Sequence, residues 1–148
     1  NLAPAKGHWV DLGSGGGFPG IVVAIISKGL GRKHQFTLVE SDQRKCAFLR
    51  TAGRELDLEI DVLSQRIEKI APLDADILTA RALADLGLLF EFAERHLKAT
   101  GVALFPKGAT WEKEHENAQG RWSYACKPIR SETNTAAAVL KIQDLSRV

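Results

Sequence analysis

The apolar positions change period repeatedly along the chain, from two residues to between three and four. His8-Trp9-Val10 is a short extended run that opens onto a cluster of glycines, Gly13 to Gly20. Ile21 to Ile26 is continuously apolar and by composition suits a buried strand. Pro19 fits the first turn of a helix and Gly29 its end, which makes the segment a helix. Gln35 to Glu40 reads as a second strand. Cys46, Leu49, Ala52 and Leu56 recur at helical spacing within 42–56. Leu58, Ile60 and Val62 alternate as a third strand does, and Ala75 to Thr79 forms a fourth. Leu83, Leu86, Leu89, Phe90, Ala93 and Leu97 mark a long amphipathic helix. Gly101 is expected to end that helix and open a fifth strand, 102–105. A charged helix is expected over 111–118. Two strands, 121–129 and 136–142, close the pattern. No helix separates them, so they should pair antiparallel.

Alternating strands and helices predict an α/β fold, a mostly parallel sheet with helices on both faces. Ligands in such sheets bind beyond the carboxyl ends of the strands. The functional residues should therefore lie at 11–20, at Glu40, and within 65–68, 80–83 and 106–108. The 148 residues make one domain, which buries about two thirds of its unfolded surface. With 45% hydrophobic and 26% charged residues, a disordered tail, a collagen-like fibre and a disulfide scaffold are excluded. No apolar run approaches the ~20 residues of a membrane span, and no basic-apolar leader opens the sequence. Cys46 and Cys126 build neither a disulfide framework nor a metal quartet. The expectation is a reduced, cytoplasmic, metal-free monomer that does not engage membranes. A net charge of +2 permits an RNA partner without arguing for one.

The glycine cluster carries the first chemical signal. Five of the thirteen glycines fall within the eight positions 13–20, between a strand and a helix, where a plain turn needs one or two. Glycine admits positive φ and close backbone approach, so the loop reads as a nucleotide cradle. Gly15-x-Gly17-x-x-Gly20 matches the dinucleotide fingerprint, with Glu40 twenty residues further on. Asp11-x-Gly13-x-Gly15-x-Gly17 equally matches the glycine motif of S-adenosylmethionine methyltransferases. Asp11 decides between them. A carboxylate before the loop repels a pyrophosphate and favours a donor that carries a sulfonium and an ammonium. An NAD(H)-binding module is the alternative reading. Glu40, at the end of the second strand, can accept both ribose hydroxyl protons of an adenosine. The 65–68 segment should lie beside the adenine, with Glu68 reading its edge.

The fourth strand leads into Ala80-Arg81-Ala82-Leu83, where a methyl acceptor is expected. The Asn-Pro-Pro-Tyr-like turn of an exocyclic-amine methyltransferase is absent. Cys46 and Cys126 read as small buried residues and not as nucleophiles for pyrimidine carbon-5 chemistry. An acceptor already nucleophilic at neutral pH remains, such as guanine N7. It needs alignment and no general base. Arg81 is the cation there, able to orient substrate or cofactor. The mixed basic and aromatic stretch Arg121-Trp122-Ser123-Tyr124, with Lys127 and Arg130, reads as alternating sheet residues in preference to an RNA surface.

Several segments together resemble a known family. They are Asp11 to Gly20 (DLGSGGGFPG), Leu38 to Leu49 (LVESDQRKCAFL), Arg66 to Glu68 (RIE), Ala80 to Leu86 (ARALADL) and Lys107-Gly108. The chain is similar to the RsmG family, also called GidB, the bacterial 16S ribosomal RNA guanine-N7 methyltransferases. The resemblance implies a seven-stranded class I S-adenosylmethionine methyltransferase fold with an antiparallel last strand. It implies methyl transfer to N7 of a guanine in the small-subunit RNA. Cofactor contacts carried over from the family fall on Gly13, Phe18, Ile67, Glu68 and Arg81, beside the Asp11, Gly15, Gly17 and Glu40 of the loop argument. Arg66 and Lys107 are expected to meet RNA. Family members carry an amino-terminal helical segment ahead of the first strand, which this chain is expected to lack. A methyltransferase-like RNA-binding factor without catalysis is the third reading.

Overall fold

A computed structural model describes residues 3–80, 84–130 and 136–148. In them seven strands and four helices alternate: β1 (Lys6–Leu12), α1 (Gly20–Gly29), β2 (Lys33–Val39), α2 (Gln43–Glu55), β3 (Ile60–Leu63), β4 (Ala75–Ala80), α3 (Leu86–His96), β5 (Leu97–Lys107), α4 (Trp111–Ala118), β6 (Trp122–Arg130) and β7 (Ala138–Arg147). A single 3-10 turn, Ile67–Lys69, lies between β3 and β4. The strands form one sheet in the order β3-β2-β1-β4-β5-β7-β6. β1 to β5 run parallel, and β7 is antiparallel to both β5 and β6. This is the α/β architecture that the alternating pattern predicts, including the antiparallel closing pair.

Two helices start where the sequence supplies a cap. The Asp42 carboxylate accepts from the backbone N–H groups of Arg44 (2.9 Å) and Lys45 (3.2 Å) at the head of α2. Asp85 accepts from Leu88 N at 3.0 Å at the head of α3. These side chains satisfy donors that the first turn leaves unpaired. The core lies on both faces of the sheet. One layer joins α3 and α4 to the sheet through Phe90, Phe105, Trp111 and Leu140. The other packs Ala24 and Ile21 of α1 and Leu49 of α2 against Trp9, Phe36 and Leu38.

One expectation is corrected. Gly101 does not end a helix that runs through Leu97. α3 stops at His96, and β5 begins at Leu97 and continues through Gly101. Ala75 faces Leu97, yet Ile77 faces Val102, so an irregularity in the β4–β5 pairing absorbs residues 98–101. A Cβ on Gly101 would lie 2.5 Å from Leu97 Cδ1 and 3.0 Å from the Ala75 carbonyl oxygen. Glycine is there for close backbone approach within a bulged strand.

Candidate functional site

The parallel strands converge at their carboxyl ends on a cavity of about 740 Å³, within the range of small-molecule sites. Its walls come from the β1 loop (Gly13, Gly15), the end of β2 (Glu40), the segment after β3 (Arg66, Ile67, Glu68) and one side of α3. The sequence-selected residues Gly13, Gly15, Glu40, Arg66, Ile67 and Glu68 are thus brought to one place.

The loop is built by internal hydrogen bonds. Gly13 N and Ser14 N both donate to the Val39 carbonyl, at 2.8 and 3.1 Å. Gly15 N donates to Glu40 Oε1 at 2.8 Å. Gly17 N donates to the Ser14 carbonyl at 2.8 Å, and Gly20 N to Asp11 Oδ2 at 3.2 Å. Gly15, at φ +50°, and Gly17, at φ +92°, occupy backbone regions that disfavour larger residues. A Cβ on Gly17 would also strike Ile21 at 2.7 Å. Gly17 therefore packs the loop on α1, while Gly15 faces the cavity.

Glu40 is the best-held polar group of the cavity. Its Oε1 accepts from Gly15 N and its Oε2 from Asp42 N at 3.0 Å. Cys46 Sγ donates to its carbonyl at 3.1 Å. Each carboxylate oxygen retains acceptor capacity toward the cavity. Glu68 stays ionised: its own backbone N–H, followed by the Arg66 guanidinium 3.0 Å away, holds its carboxyl below the usual range.

Asp11 requires a correction. Its carboxylate does not line the cavity and is fully buried beneath the loop. Thr79 Oγ1 donates to Oδ1 at 2.8 Å, and Ser14 Oγ to Oδ2 at 2.8 Å. With Gly20 N, these donors tie β1, β4, the loop and the head of α1 to one carboxylate. Burial raises its pKa to about 6, against the opposing pull of those hydrogen bonds. Asp11 acts on the site through the shape of the loop and not by facing a ligand.

Lys107 is also corrected. Its ammonium lies 2.8 Å from Glu114 Oε1 and donates to the Ala84 carbonyl at 3.0 Å, with its side chain 10% exposed. Glu114 in turn accepts from Leu86 N at 2.9 Å. The pair braces the start of α3 and is not presented to RNA. Phe18 is 52% exposed, outside the cavity wall. Arg81 lies outside the described residues. The β6 segment follows the alternating-sheet reading, with Trp122 buried and Tyr124 hydrogen-bonded to His115 Nδ1 at 2.7 Å.

Sequence reasoning missed the contribution of α3. Leu88 and Phe92 supply the apolar wall. They stand four residues apart and out of phase with the core positions Leu86, Leu89, Phe90 and Ala93, which was the available signal. The end of α3 also grips the turn at 67–69. His96 Nε2 bonds to the Ile67 carbonyl at 2.9 Å, and Arg95 Nε donates to the Ile70 carbonyl at 2.8 Å. The carbonyl only accepts, so Nε2 carries the proton. His96 is fully buried, and burial lowers its pKa, which keeps the ring neutral.

A comparison with protein families matches residues 2–139 to the model described as rRNA small subunit methyltransferase G, GidB. The ribosomal RNA small subunit methyltransferase G of Ruegeria sp. (strain TM1040) is 52% identical over 148 residues, covering 100% of this chain and 72% of that protein. The protein of the same name from Ruegeria pomeroyi is 54% identical over 146 residues, covering 99% and 72%. Among solved structures, TYW2 of M. jannaschii in complex with AdoMet superposes with a TM-score of 0.69 at 15% identity, covering 99% of this chain and 71% of that one. That last likeness speaks to the fold. The family match and the two relatives speak to descent, and the chain belongs to the rRNA small subunit methyltransferase G family.

Proposed function

We propose that this chain is a single S-adenosylmethionine-dependent methyltransferase domain that methylates N7 of a guanine in 16S ribosomal RNA of the small ribosomal subunit. The observation that carries the cofactor is the state of the loop's donors. The N–H groups of Gly13, Ser14, Gly15, Gly17 and Gly20 all donate within the protein. A pyrophosphate cradle needs such groups free, so the loop suits an adenosyl ligand without phosphates. The engaged donors count against an NAD(H) module, although the loop satisfies its glycine spacing.

S-adenosylmethionine supplies a methyl group on a positively charged sulfur. The protein's own work is binding and alignment. Glu40, held by two backbone donors, offers one acceptor on each oxygen to the adjacent ribose hydroxyls. Gly13 and Gly15 let the backbone approach. Ile67 and Glu68 border the adenine, with Leu88 and Phe92 as the apolar wall. Phe18 and Arg81 are assigned here by family likeness. Asp11 and Gly17 serve by shaping the loop. Guanine N7 attacks with a lone pair and loses no proton first, so alignment and proximity suffice. The cytoplasm, where small subunits are found, is the proposed place of action.

Calorimetric titration with S-adenosylhomocysteine tests the cofactor, with NADH as the competing ligand. Transfer of labelled methyl to unmodified small subunits, followed by nucleoside analysis for 7-methylguanosine, tests the reaction. A folded chain that ignores S-adenosylhomocysteine overturns the reading. Binding without methyl transfer leaves the non-catalytic RNA-binding alternative.

A further inference from the structure

The net charge of +2 conceals a partition across the sheet. The helices α1 and α2 cover one face; α3 and α4 cover the other. α2 carries Arg44, Lys45, Arg50 and Arg54 against the single carboxylate of Glu55, while Lys28 of α1 is paired with Asp57 at 3.3 Å. On the opposite face, α3 and α4 carry Glu91, Glu94, Glu112, Glu114 and Glu116 against Arg95 and Lys113.

The cations of α2 are also uncompensated. Among the described residues, none of the four forms an ion pair with a carboxylate. Arg50 donates to the Val62 carbonyl and Arg54 to Thr51 Oγ1, and all four side chains are exposed. On the other face Lys107 is paired with Glu114 and Arg147 with Glu94. Phe48 stands among the α2 cations, 54% exposed, four residues after Arg44 and three after Lys45. A bare aromatic ring flanked by cations suits a base that stacks and a backbone that is negatively charged.

The helix is connected to the site. Lys45 belongs to the cavity wall, and α2 is 13 residues long, about 20 Å at 1.5 Å per residue.

We infer that the outer face of α2, with Arg44 and Arg54 near its two ends and Phe48 between them, docks the phosphate backbone of the substrate RNA beside the methylated guanine. The inference rests on the rRNA-methyltransferase reading. It assigns the RNA path to the α1–α2 side of the sheet and away from the acidic α3–α4 side. Arg44 and Arg54 position RNA and take no part in the chemistry. Phe48 offers a stacking platform.

Filter binding of a 16S rRNA transcript between 50 and 200 mM salt tests the assignment. Arg44→Glu with Arg54→Glu should weaken binding at least tenfold and flatten the slope of log affinity against log salt by about two, one for each phosphate no longer neutralised. Phe48→Ala should weaken binding about fivefold or more with the slope unchanged. The matched reversal on the opposite face, Lys113→Glu with Arg121→Glu, should change affinity less than twofold. The α2 variants should keep the wild-type melting temperature and S-adenosylhomocysteine affinity. If the double reversal lowers the melting temperature, Arg44→Gln with Arg54→Gln removes the charges alone and reads the same slope.

An unchanged slope in the α2 charge variants overturns the inference. So does an equal loss in the opposite-face variant, or a defect seen only with whole subunits, which would mark a protein partner. Failure of the wild-type chain to bind S-adenosylhomocysteine would instead strike the underlying reading, which keeps the two failures distinct.

Discussion

At the scale of single residues, Asp11 and Glu40 were both expected to face the ligand, yet only Glu40 lines the cavity and Asp11 lies buried beneath the loop. Asp11 shapes the loop from below, and its burial leaves a pH signature. Its pKa is about 6 in the folded protein and near 4 in the unfolded chain. Between those values the folded state binds more protons, so rising pH removes stability until Asp11 is ionised in both states. Relative to Asp11→Asn, the wild type should lose about 2 kcal/mol from pH 4 to pH 7, measured by urea unfolding at each pH. Asp11→Ala should cost about 3 kcal/mol or more at any pH, because Ser14, Thr79 and Gly20 all lose their acceptor. Glu40, by contrast, faces the cavity. Glu40→Gln should weaken S-adenosylhomocysteine binding by about 10- to 100-fold, the worth of a charge-assisted hydrogen bond, as calorimetry would show. Both acids were legible in the sequence as strand-end carboxylates. The direction in which Asp11 points was not, because it depends on Thr79, 68 residues away.

At the scale of elements, period and caps made the strands and helices readable, while the joints between them were not. The turn at 67–69 has a short, ordinary sequence, and its position comes from α3. His96→Phe keeps the ring volume and removes the donor to the Ile67 carbonyl. It should cost about 1–3 kcal/mol of stability and raise the KM for S-adenosylmethionine with little change in kcat. His96→Gln should recover part of both, measured by steady-state methyl transfer and thermal unfolding. A merely structural role would not divide KM from kcat in this way. Gly101 gives the complementary lesson. A glycine after an apolar run looks like a helix stop, yet here the pairing of β4 with β5 decides its role. Gly101→Ala should destabilise by about 1–3 kcal/mol through overpacking against Leu97 and Ala75, read from the shift in the urea midpoint.

For the molecule as a whole, fold class followed from alternation alone, and the glycine loop located the ligand end. The separation of charge between the two faces lay hidden in a total near zero, because only the packing says which helices share a side. The order of the last strands was equally hidden. β7 follows β6 in the chain yet sits between β5 and β6 in the sheet. Every strand from β2 to β5 finds a neighbour among segments synthesised before it, whereas β6 pairs with what comes next. A nascent chain emerging amino end first can therefore assemble the adenosyl-side half of the sheet early. The far edge must wait for β7 to slot in beside Phe105, and a stop codon before Ala138 would leave that seam unsealed.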